Sequence, residues 1–246
     1  MLQEEVADGI VTLRLARPEK RNALARPLIA ALVDAVGRAY ADPSIRGILL
    51  AGVGPDFSAG VDLTEFADLT PSTAVRLISL LRDLCRVVRT GPKPVVAAVQ
   101  GHCLGGAFEL VLACDLRVAE RHARFGLPEV ALGLPSVIDA ALLPGYVGWG
   151  RAADMLLTGR LMTAREAFRL GLVNRLAPAE DLEAAGRALL ADVVRHSPRA
   201  VRLQKELHDV WRNAGHEDAV AFSIRSFAAA FTDSVPEPIR RRLGRP

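Results

Sequence analysis

The sequence predicts an α/β fold with a helical region at its C-terminal end. Within the first 52 residues, a strand, a helix and a second, apolar strand follow one another, which is the order expected of an α/β sheet. Strand signals stop near residue 179, and three helical segments follow. We therefore expect an α/β body over residues 1–178 and a helical C-terminal region over residues 179–246.

The N-terminal elements are a hairpin, a helix and a strand. The pair Asp8-Gly9 stands between two β-rich runs, which is a strong hairpin signal. Apolar residues recur at helical spacing from 26 to 42, and the short apolar run at 46–52 ends in glycine, as a buried strand does. The elements predicted further along are a helix around 71–90, a strand at 93–101, a helix after Gly106, a strand at 115–120 and a helix after Thr163.

Composition and charge exclude several classes of protein. Half of the 246 residues are hydrophobic and 24% are charged, as in an ordinary globular chain. The net charge is only +3, so bulk charge gives no reason to expect a nucleic-acid partner. Four arginines near the C-terminal end predict a solvated helix end rather than a binding patch: Arg240, Arg241, Arg242 and Arg245.

The cysteines and the apolar segments indicate a cytoplasmic protein. Cys85, Cys103 and Cys114 have no metal-ligand spacing, and each stands in an apolar run, as buried thiols do in a reducing compartment. The first nine residues are acidic and lack the apolar segment of a signal peptide. No run approaches about 18 uncharged apolar residues, so we expect no membrane span. We also expect no metal site.

Three short motifs come close to known signatures but lack an essential residue. In DFSAG, Asp56 stands where a nucleophile elbow needs glycine, which disfavours a hydrolase built on Ser58 and His102. The tripeptide GVG lacks the third glycine of a dinucleotide fingerprint, and GHCLGG is followed by Ala107 where a P-loop needs lysine.

The segment GHCLGGAFELVLAC places two glycines before an apolar helix that contains one glutamate. The first N–H groups of a helix have no partner within it, and Gly105 and Gly106 lack the Cβ that would keep a ligand oxygen away. This predicts half of an oxyanion hole. Glu109 follows about one turn later, where apolar neighbours should raise its pKa and suit it to proton transfer. A structural glutamate paired with an arginine explains the local pattern equally well.

A second glycine-containing loop, FSAGVD, follows the strand at 46–52. By itself this loop predicts either the other half of the hole or a tight turn in which Asp62 caps the next helix. Together the two segments resemble the crotonase, or enoyl-CoA hydratase/isomerase, superfamily. The resemblance extends in the family's order over nearly the whole chain, through RPEKRNAL, ARFGLPEVALGLPS and LLTGRLMTAREAFRLGLVNRLAP.

The resemblance implies a spiral of ββα turns with a C-terminal helical region that drives trimers, often paired into hexamers. It implies acyl-CoA thioesters as substrates and no metal or redox cofactor. The oxyanion N–H groups fall on Val61 and Gly106. The implied contacts with the CoA thioester come from Ala59, Gly60, Val61, Asp62, Leu63 and Gly105, with Phe227 or Phe231 and the tail arginines closing over the nucleotide.

Family hydratases hold one water between two glutamates, which fall here on Glu109 and Glu129. Hydration deprotonates water at C3, delivers a proton to C2 and places enolate-like charge on the thioester oxygen. Two carboxylates in opposite protonation states, beside an oxyanion hole, meet these demands. From the residues alone a surface or ion-paired Glu129 is favoured, whereas the resemblance implies a position in the pocket.

The segment after Glu129 departs from the family. Many hydratases carry a glycine-rich turn there, and this chain instead has PSVIDAALLPGYVG, one residue shorter before Pro135. We expect Val137 and Ile138 to narrow the acyl pocket. Asp139 is either a salt-bridge or capping residue or a third pocket acid, since some family isomerases use carboxylates near this turn.

The leading hypothesis is hydration of a trans-2-enoyl-CoA to a 3-hydroxyacyl-CoA, with Glu109 and Glu129 as the acid/base pair. Double-bond isomerisation by one carboxylate is the alternative. Decarboxylation or thioester hydrolysis is disfavoured because both glutamates are present. A third hypothesis is a catalytically silent acyl-CoA-binding or assembly subunit, against which the same two glutamates argue.

Overall fold

Strands and helices alternate along the chain as far as residue 177, and in the described residues beyond it only helices follow. The computed structural model describes residues 1–232 and 234–243, so Arg245 lies outside the described residues. The strands are β1 (Leu2–Ala7), β2 (Ile10–Leu15), β3 (Gly47–Gly52), β4 (Val95–Val99), β5 (His102–Leu104), β6 (Leu116–Glu120), β7 (Arg124–Gly126), β8 (Met162–Thr163) and β9 (Arg175–Ala177). The α-helices are α1 (Arg26–Ala41), α2 (Pro71–Thr90), α3 (Gly106–Ala113), α4 (Leu143–Val147), α5 (Trp149–Thr158), α6 (Ala164–Arg169), α7 (Leu182–Val194), α8 (Pro198–Asn213), α9 (His216–Ala229) and α10 (Glu237–Arg242). The predicted α/β class with a C-terminal helical region is confirmed.

A six-stranded sheet with the order β1-β2-β3-β4-β6-β9 forms the centre of the fold. β1 and β2 are antiparallel and joined by the predicted turn, in which Asp8 and Gly9 have φ angles of 52° and 72°. Two consecutive positive φ angles are what the tightest hairpin turns require. The remaining neighbours in this sheet are parallel. A second, three-stranded sheet has the order β5-β7-β8.

Strand β3 is buried on both faces. Ile48 and Leu50 belong to a core shared with α1, α2 and α3, whereas Leu49 belongs to a second core shared with α7. This alternation follows from the two-residue period of a strand. Helix α7 comes close because Gly186 has no side chain: a Cβ there would stand 2.7 Å from Cδ1 of Leu49. The division at residue 178 into a body and a helical region stays a prediction.

The path from β4 to α3 differs from the expectation. The sequence predicted one strand at 93–101 that turns directly into the helix, but β4 ends at Val99 and a separate strand, β5, follows. β5 pairs in parallel with β7, so the chain enters the second sheet before α3 begins. Two three-residue strands are too short to give a recognisable period.

Helix α3 is anchored at its C-terminal end by a buried arginine. Arg117 on β6 is 2% exposed, and its guanidinium donates to the carbonyl oxygens of Val111 and Cys114 at 3.0 and 2.9 Å. The same side chain donates to the carbonyl oxygen of Leu172 at 2.6 Å. The last carbonyls of a helix lack partners within it, and here the arginine supplies them. All eight residues of α3 are buried.

The C-terminal helices α8 and α9 pack on one another, and the short α10 follows the three predicted helical segments. Lys205 on α8 is buried and pairs with Asp115, whose carboxylate also accepts the Val95 N–H at 2.8 Å. This contact fixes α8 to the start of β4. No helix in the described part of the chain has the length and apolar character to cross a membrane.

Candidate active site

A cavity opens between the N-terminal end of α3, helix α2 and the loops at 59–66 and 127–137. Its empty volume, including the open mouth, is about 630 Å³. Among the residues predicted for the site, those that line it are Ala59, Gly60, Val61, Leu63, Gly105, Gly106, Glu109 and Glu129. Asp62 and Asp139 do not line it. The fold therefore brings the two glycine loops and both predicted glutamates to one place.

The two glycine loops meet at this cavity. The Ser58 N–H donates to the carbonyl oxygen of His102 at 3.0 Å, and the Ser58 carbonyl accepts the Leu104 N–H at 3.1 Å, so the loop runs beside β5. Val61 consequently stands next to Gly106. Among the described residues, neither the Val61 nor the Gly106 N–H donates to a protein oxygen. Two adjacent donors without partners are the elements of an oxyanion hole.

Two glycines allow the close approach at this meeting point. Gly60 has a φ of 95°, and a Cβ there would lie 2.8 Å from the carbonyl oxygen of Leu104. A Cβ on Gly106 would lie 2.5 Å from Cδ2 of Leu81 and 3.1 Å from Cγ2 of Val61. A Cβ on Gly60 would push its loop away from β5, and a Cβ on Gly106 would require the Leu81 side chain or the end of α3 to move.

Glu109 lies in the first turn of α3 and is 2% exposed. Burial raises its pKa to about 8, the negative charges of Glu129 and Asp139 act in the same direction, and the Ala140 N–H opposes the rise by donating to Oε1 at 3.3 Å. In the part of the chain that the structure describes, Glu109 makes no ion pair. The arginine-paired glutamate that the local sequence also allowed is thus not what forms, and a proton-holding carboxyl group stands beside the two free N–H groups.

Glu129 reaches the same cavity from the short 3-10 helix Pro128–Leu132. The Ser136 hydroxyl donates to its Oε2 at 2.7 Å. Its Oε1 faces Gly105, where a Cβ would stand 2.9 Å away. Glu129 is half-buried, so the surface position favoured by the residues alone is not observed. Ser136 was not identified from the sequence because its role depends on the shape of the turn between it and Glu129.

Asp139 is held by an arginine that no sequence pattern marks. Its carboxylate pairs with Arg89 at the end of α2. Burial raises the pKa of Asp139, and Arg89 opposes that rise. Of the two roles expected for Asp139, the structure contains the salt bridge. Val137 lines the cavity as expected, whereas Ile138 packs against the core instead.

Asp62 has the structural role that its loop allowed. It caps the 3-10 helix Leu63–Phe66 by accepting the Thr64 N–H at 3.2 Å, and it pairs with Arg17 at 3.1 Å. The Thr64 hydrogen bonds and Arg17 hold the pKa of Asp62 below its ordinary value, although burial opposes them. Asp62 thus fixes the conformation of its loop, in which the adjacent residues Val61 and Leu63 line the cavity.

Ser58 and His102 do not form a nucleophile–base pair. The Ser58 hydroxyl donates to the carbonyl oxygen of Asn22 at 2.8 Å, and Nδ1 of His102 lies 2.8 Å from a carboxylate oxygen of Asp56. Asp56 also pairs with Arg21 at 2.8 Å. The Ser/His hydrolase that the sequence disfavoured has no geometry to support it.

The aromatic residues predicted to cover a nucleotide lie together near the end of α9. The ring centroids of Phe227 and Phe231 are 5.2 Å apart, and neither ring lines the cavity. Arg240, Arg241 and Arg242 lie in α10. Within the described residues, no three His, Cys, Asp or Glu side chains form a group that would hold a metal ion.

Comparison with known proteins identifies a single family. The sequence profile described as Enoyl-CoA hydratase/isomerase matches residues 5–235. A protein of Thermus thermophilus, provisionally named an enoyl-CoA hydratase, is 39% identical over 238 residues, covering 94% of this chain and 93% of its own. A crotonyl-CoA hydratase of Syntrophomonas wolfei is 32% identical, with 92% and 88% covered. The crystal structure of an enoyl-CoA hydratase from Mycobacterium smegmatis superposes with a TM-score of 0.89 at 33% identity, covering 94% of this chain and 91% of that one.

Proposed function

The chain belongs to the enoyl-CoA hydratase/isomerase family, and from that premise we propose that it adds water across the C2=C3 bond of a trans-2-enoyl-CoA to give a 3-hydroxyacyl-CoA. One observation carries the proposal. Two glutamates, one of them with a pKa of about 8, line a cavity together with two N–H groups that have no partner among the described residues. Hydration needs both features at once.

The N–H groups of Val61 and Gly106 would receive the thioester oxygen. As water adds to C3, negative charge moves onto that oxygen, and donors already fixed in place stabilise it without reorganisation. Gly106 is also the first residue of α3, so the positive end of the helix dipole adds to the same field.

The two glutamates would divide the proton transfers. Glu109 holds a proton near neutral pH, because burial and the negative charge of Glu129 raise its pKa to about 8. The ionised carboxylate takes a proton from water as its oxygen bonds to C3, and the protonated one delivers its proton to C2. One proton enters the pair and one leaves it, so the sum of the step is the addition of one water. No metal or redox cofactor is needed.

The acyl chain would lie against aliphatic and aromatic side chains. Leu63, Phe66, Ile78, Leu134 and Val137 line the same cavity as the glutamates. None of these side chains offers a hydrogen bond or a charge, so they favour an apolar acyl group over one that carries a carboxylate or a hydroxyl.

We also propose that the protein acts as a homo-oligomer, a trimer or hexamer, through the outer face of α8 and α9. This face exposes Trp211, Val220, Ile224 and Phe227, and Ile224 and Phe227 are 67% and 70% exposed. An apolar face of this kind is typical of an association surface. Light scattering should give a mass near three or six times 26.4 kDa, and Ile224→Glu should reduce it, whereas Val75→Glu on α2, with the same exposure, should not.

The three cysteines are free and buried, which supports a place in a reducing compartment such as the cytoplasm.

The activity is tested by following loss of the conjugated thioester of crotonyl-CoA. Glu109→Gln and Glu129→Gln should each reduce kcat by about 100-fold or more, since a positioned acid or base contributes roughly 100- to 10,000-fold. Glu180→Gln, an exposed glutamate, is the matched control.

Three outcomes oppose the proposal. Turnover that survives both substitutions contradicts the assigned residues. Conversion of a 3-enoyl-CoA without uptake of oxygen from labelled water identifies an isomerase. Tight binding of CoA esters without conversion of any enoyl-CoA identifies a silent binding subunit.

A further inference from the structure

We propose that Arg89 is a positioning residue, which anchors residues 137–140 through Asp139 and thereby holds the carboxylate of Glu109 in place for proton transfer. This inference rests on the proposed function, in which Glu109 transfers the proton. Arg89 does not line the cavity. It acts on Glu109 through Asp139 and Ala140.

Arg89 places its guanidinium between two carboxylates. One of its Nη atoms pairs with Asp139, whose side chain is only 8% exposed. Its Nε lies 3.3 Å from a carboxylate oxygen of Asp209 on α8. Helix α2, the 3-10 helix Ile138–Leu142 and helix α8 therefore meet at one side chain.

The next residue along the chain connects this pair to the first glutamate. Asp139 is followed directly by Ala140, whose N–H donates to Oε1 of Glu109 at 3.3 Å. When Arg89 fixes the Asp139 side chain, it also fixes the direction of the following peptide N–H. The Ala140 N–H, which donates the hydrogen bond to Glu109, is therefore held in one position.

The backbone before Asp139 shows that the segment must be held. Ile138 has a φ of 40°, a region that β-branched residues rarely adopt. Such a conformation persists only where the surroundings impose it. Asp139 is the residue next to Ile138, so its ion pair with Arg89 can hold the segment with this backbone conformation.

Among the described charged groups around Asp139, Arg89 is the one in direct contact with it. Asp139 and Glu129 face Glu109, and Arg89, Arg212 and the Cys85 thiol face Asp139. Arg212 makes its hydrogen bond with the Tyr146 hydroxyl, at 3.4 Å. Within the described residues, Arg89 is thus the cation in ion-pair contact with Asp139. Without it a buried carboxylate would lose its counter-ion, which is a strongly unfavourable state.

The proposal is tested with variants of the pair. Arg89→Met removes the charge and keeps an apolar stem, Arg89→Lys keeps the charge without the planar fork, and Asp139→Asn removes the other partner. The matched control is Arg86→Met, one turn earlier on α2 and 65% exposed. With crotonyl-CoA we expect kcat to fall by about 10- to 100-fold in Arg89→Met and Asp139→Asn, because small misplacements of a catalytic group cost this much.

The pattern across the variants separates positioning from a direct role. KM should stay within about twofold, since none of these side chains binds the substrate, and Arg89→Lys should recover part of kcat. The double variant Arg89→Met/Asp139→Asn should fall no further than either single variant, because both remove one interaction. If Asp139→Asn is impaired and Arg89→Met is not, Asp139 acts on the substrate directly and the proposal is wrong.

A second readout does not depend on turnover. Labelling Asp with 13C and Ala with 15N makes only the amides of the three Asp-Ala pairs visible, which are those of Ala35, Ala140 and Ala219. The Ala140 resonance should follow the titration of Glu109 near pH 8, and Arg89→Met should abolish this dependence while Ala35 and Ala219 stay unchanged.

The outcomes for the inference and for the proposed function are separable. An Arg89→Met protein with the wild-type kcat, or with the wild-type Ala140 titration, overturns the positioning role. A wild-type protein that does not hydrate crotonyl-CoA overturns the proposed function, and the Ala140 titration then still decides whether Arg89 holds Glu109.

Discussion

The hydroxyl oxygen of Ser136 lies 2.7 Å from Oε2 of Glu129. The Ala140 N–H makes the corresponding hydrogen bond to Glu109, at 3.3 Å. Both donors belong to the short stretch 136–140. One segment therefore holds both carboxylates of the pair.

Ser136→Ala should lower kcat, because the Ser136 hydroxyl holds the carboxyl group of Glu129. Loss of this hydrogen bond frees the Glu129 side chain to rotate, so we expect kcat to fall by about tenfold or more, as small misplacements of a catalytic group do. Steady-state kinetics with crotonyl-CoA measure the effect, and Ser136→Thr should retain part of the activity. Ser226→Ala, which removes a buried hydroxyl from α9, should leave kcat unchanged. Equal losses in both variants would contradict a specific role for Ser136.

Gly106→Ala should disrupt the proposed oxyanion hole. The added Cβ would stand 2.5 Å from Cδ2 of the buried Leu81 and 3.1 Å from Cγ2 of Val61, so we expect the N-terminal end of α3 and the Val61 loop to shift apart. Since loss of one oxyanion donor costs roughly 100- to 1000-fold in kcat, we expect a loss of that order. Gly37→Ala, where a Cβ meets nothing within 4 Å, is the control. Leu81→Ala combined with Gly106→Ala should recover part of kcat, and a double variant no better than Gly106→Ala would argue against the steric cause.

Stability should fall as the pH rises toward 8, because of Glu109. Its pKa is raised from 4.5 to about 8 on folding, so between these values the folded state binds a proton that the unfolded state has released. The contribution of Glu109 to the free energy of unfolding is fully present below pH 4.5. It falls by about 1.4 kcal/mol per pH unit as the pH rises from there, until the pH passes the folded-state pKa of about 8. Urea unfolding of wild type and Glu109→Gln at several pH values measures the difference. Parallel curves for the two proteins would show that Glu109 titrates normally.

Glu129→Gln should lower the pKa of Glu109. The negative charge of Glu129 is, after burial, the next cause of the rise to about 8. Without it burial still keeps the pKa above its ordinary value, so the midpoint should fall but not reach 4.5. Carboxyl 13C NMR of labelled glutamate, assigned with Glu109→Gln, follows the titration. A midpoint that does not move would mean that the two carboxylates are not coupled.

Lys205→Met should destabilise the attachment of α8. Lys205 is 5% exposed and neutralises Asp115, which is itself 21% exposed. Removing one partner of a buried pair typically costs about 3–5 kcal/mol, and the partial exposure of Asp115 reduces this to about 2 kcal/mol. Chemical unfolding at fixed protein concentration measures the loss. Arg202→Met on the same helix breaks only an exposed pair with Glu206 and should change stability by less than about 0.5 kcal/mol.

The features predictable from the sequence are those set by nearby residues. The Asp8-Gly9 turn needs only its own backbone angles, and Glu109 follows Gly106 in the same helix. Their interpretation required no knowledge of the rest of the chain. The FSAGVD loop alone leaves open whether Val61 meets Gly106, and the family resemblance favours it; local pattern cannot decide because the two residues are 45 positions apart.

The site residues that no sequence pattern marks act through contacts across the fold. Arg89 and Asp139 are 50 residues apart, and nothing in the local pattern of α2 marks that arginine among its neighbours. The position of the Ile138 side chain also has no local sequence signal. Its side chain was expected in the acyl pocket, but a φ of 40° directs the chain so that it packs on the core. A turn with no glycine gives no sequence signal for a positive φ.

Arg117 has a consequence for the electric polarity of helix α3. A short helix carries opposite partial charges at its two ends, and their fields partly cancel at a distance. Here a buried cation covers the negative end, through the carbonyls of Val111 and Cys114. The positive end, at Gly106, is left facing the cavity. Eight residues of helix thereby act on the cavity as a nearly isolated positive pole, a stronger source of attraction for a developing anion than the length of α3 alone would suggest.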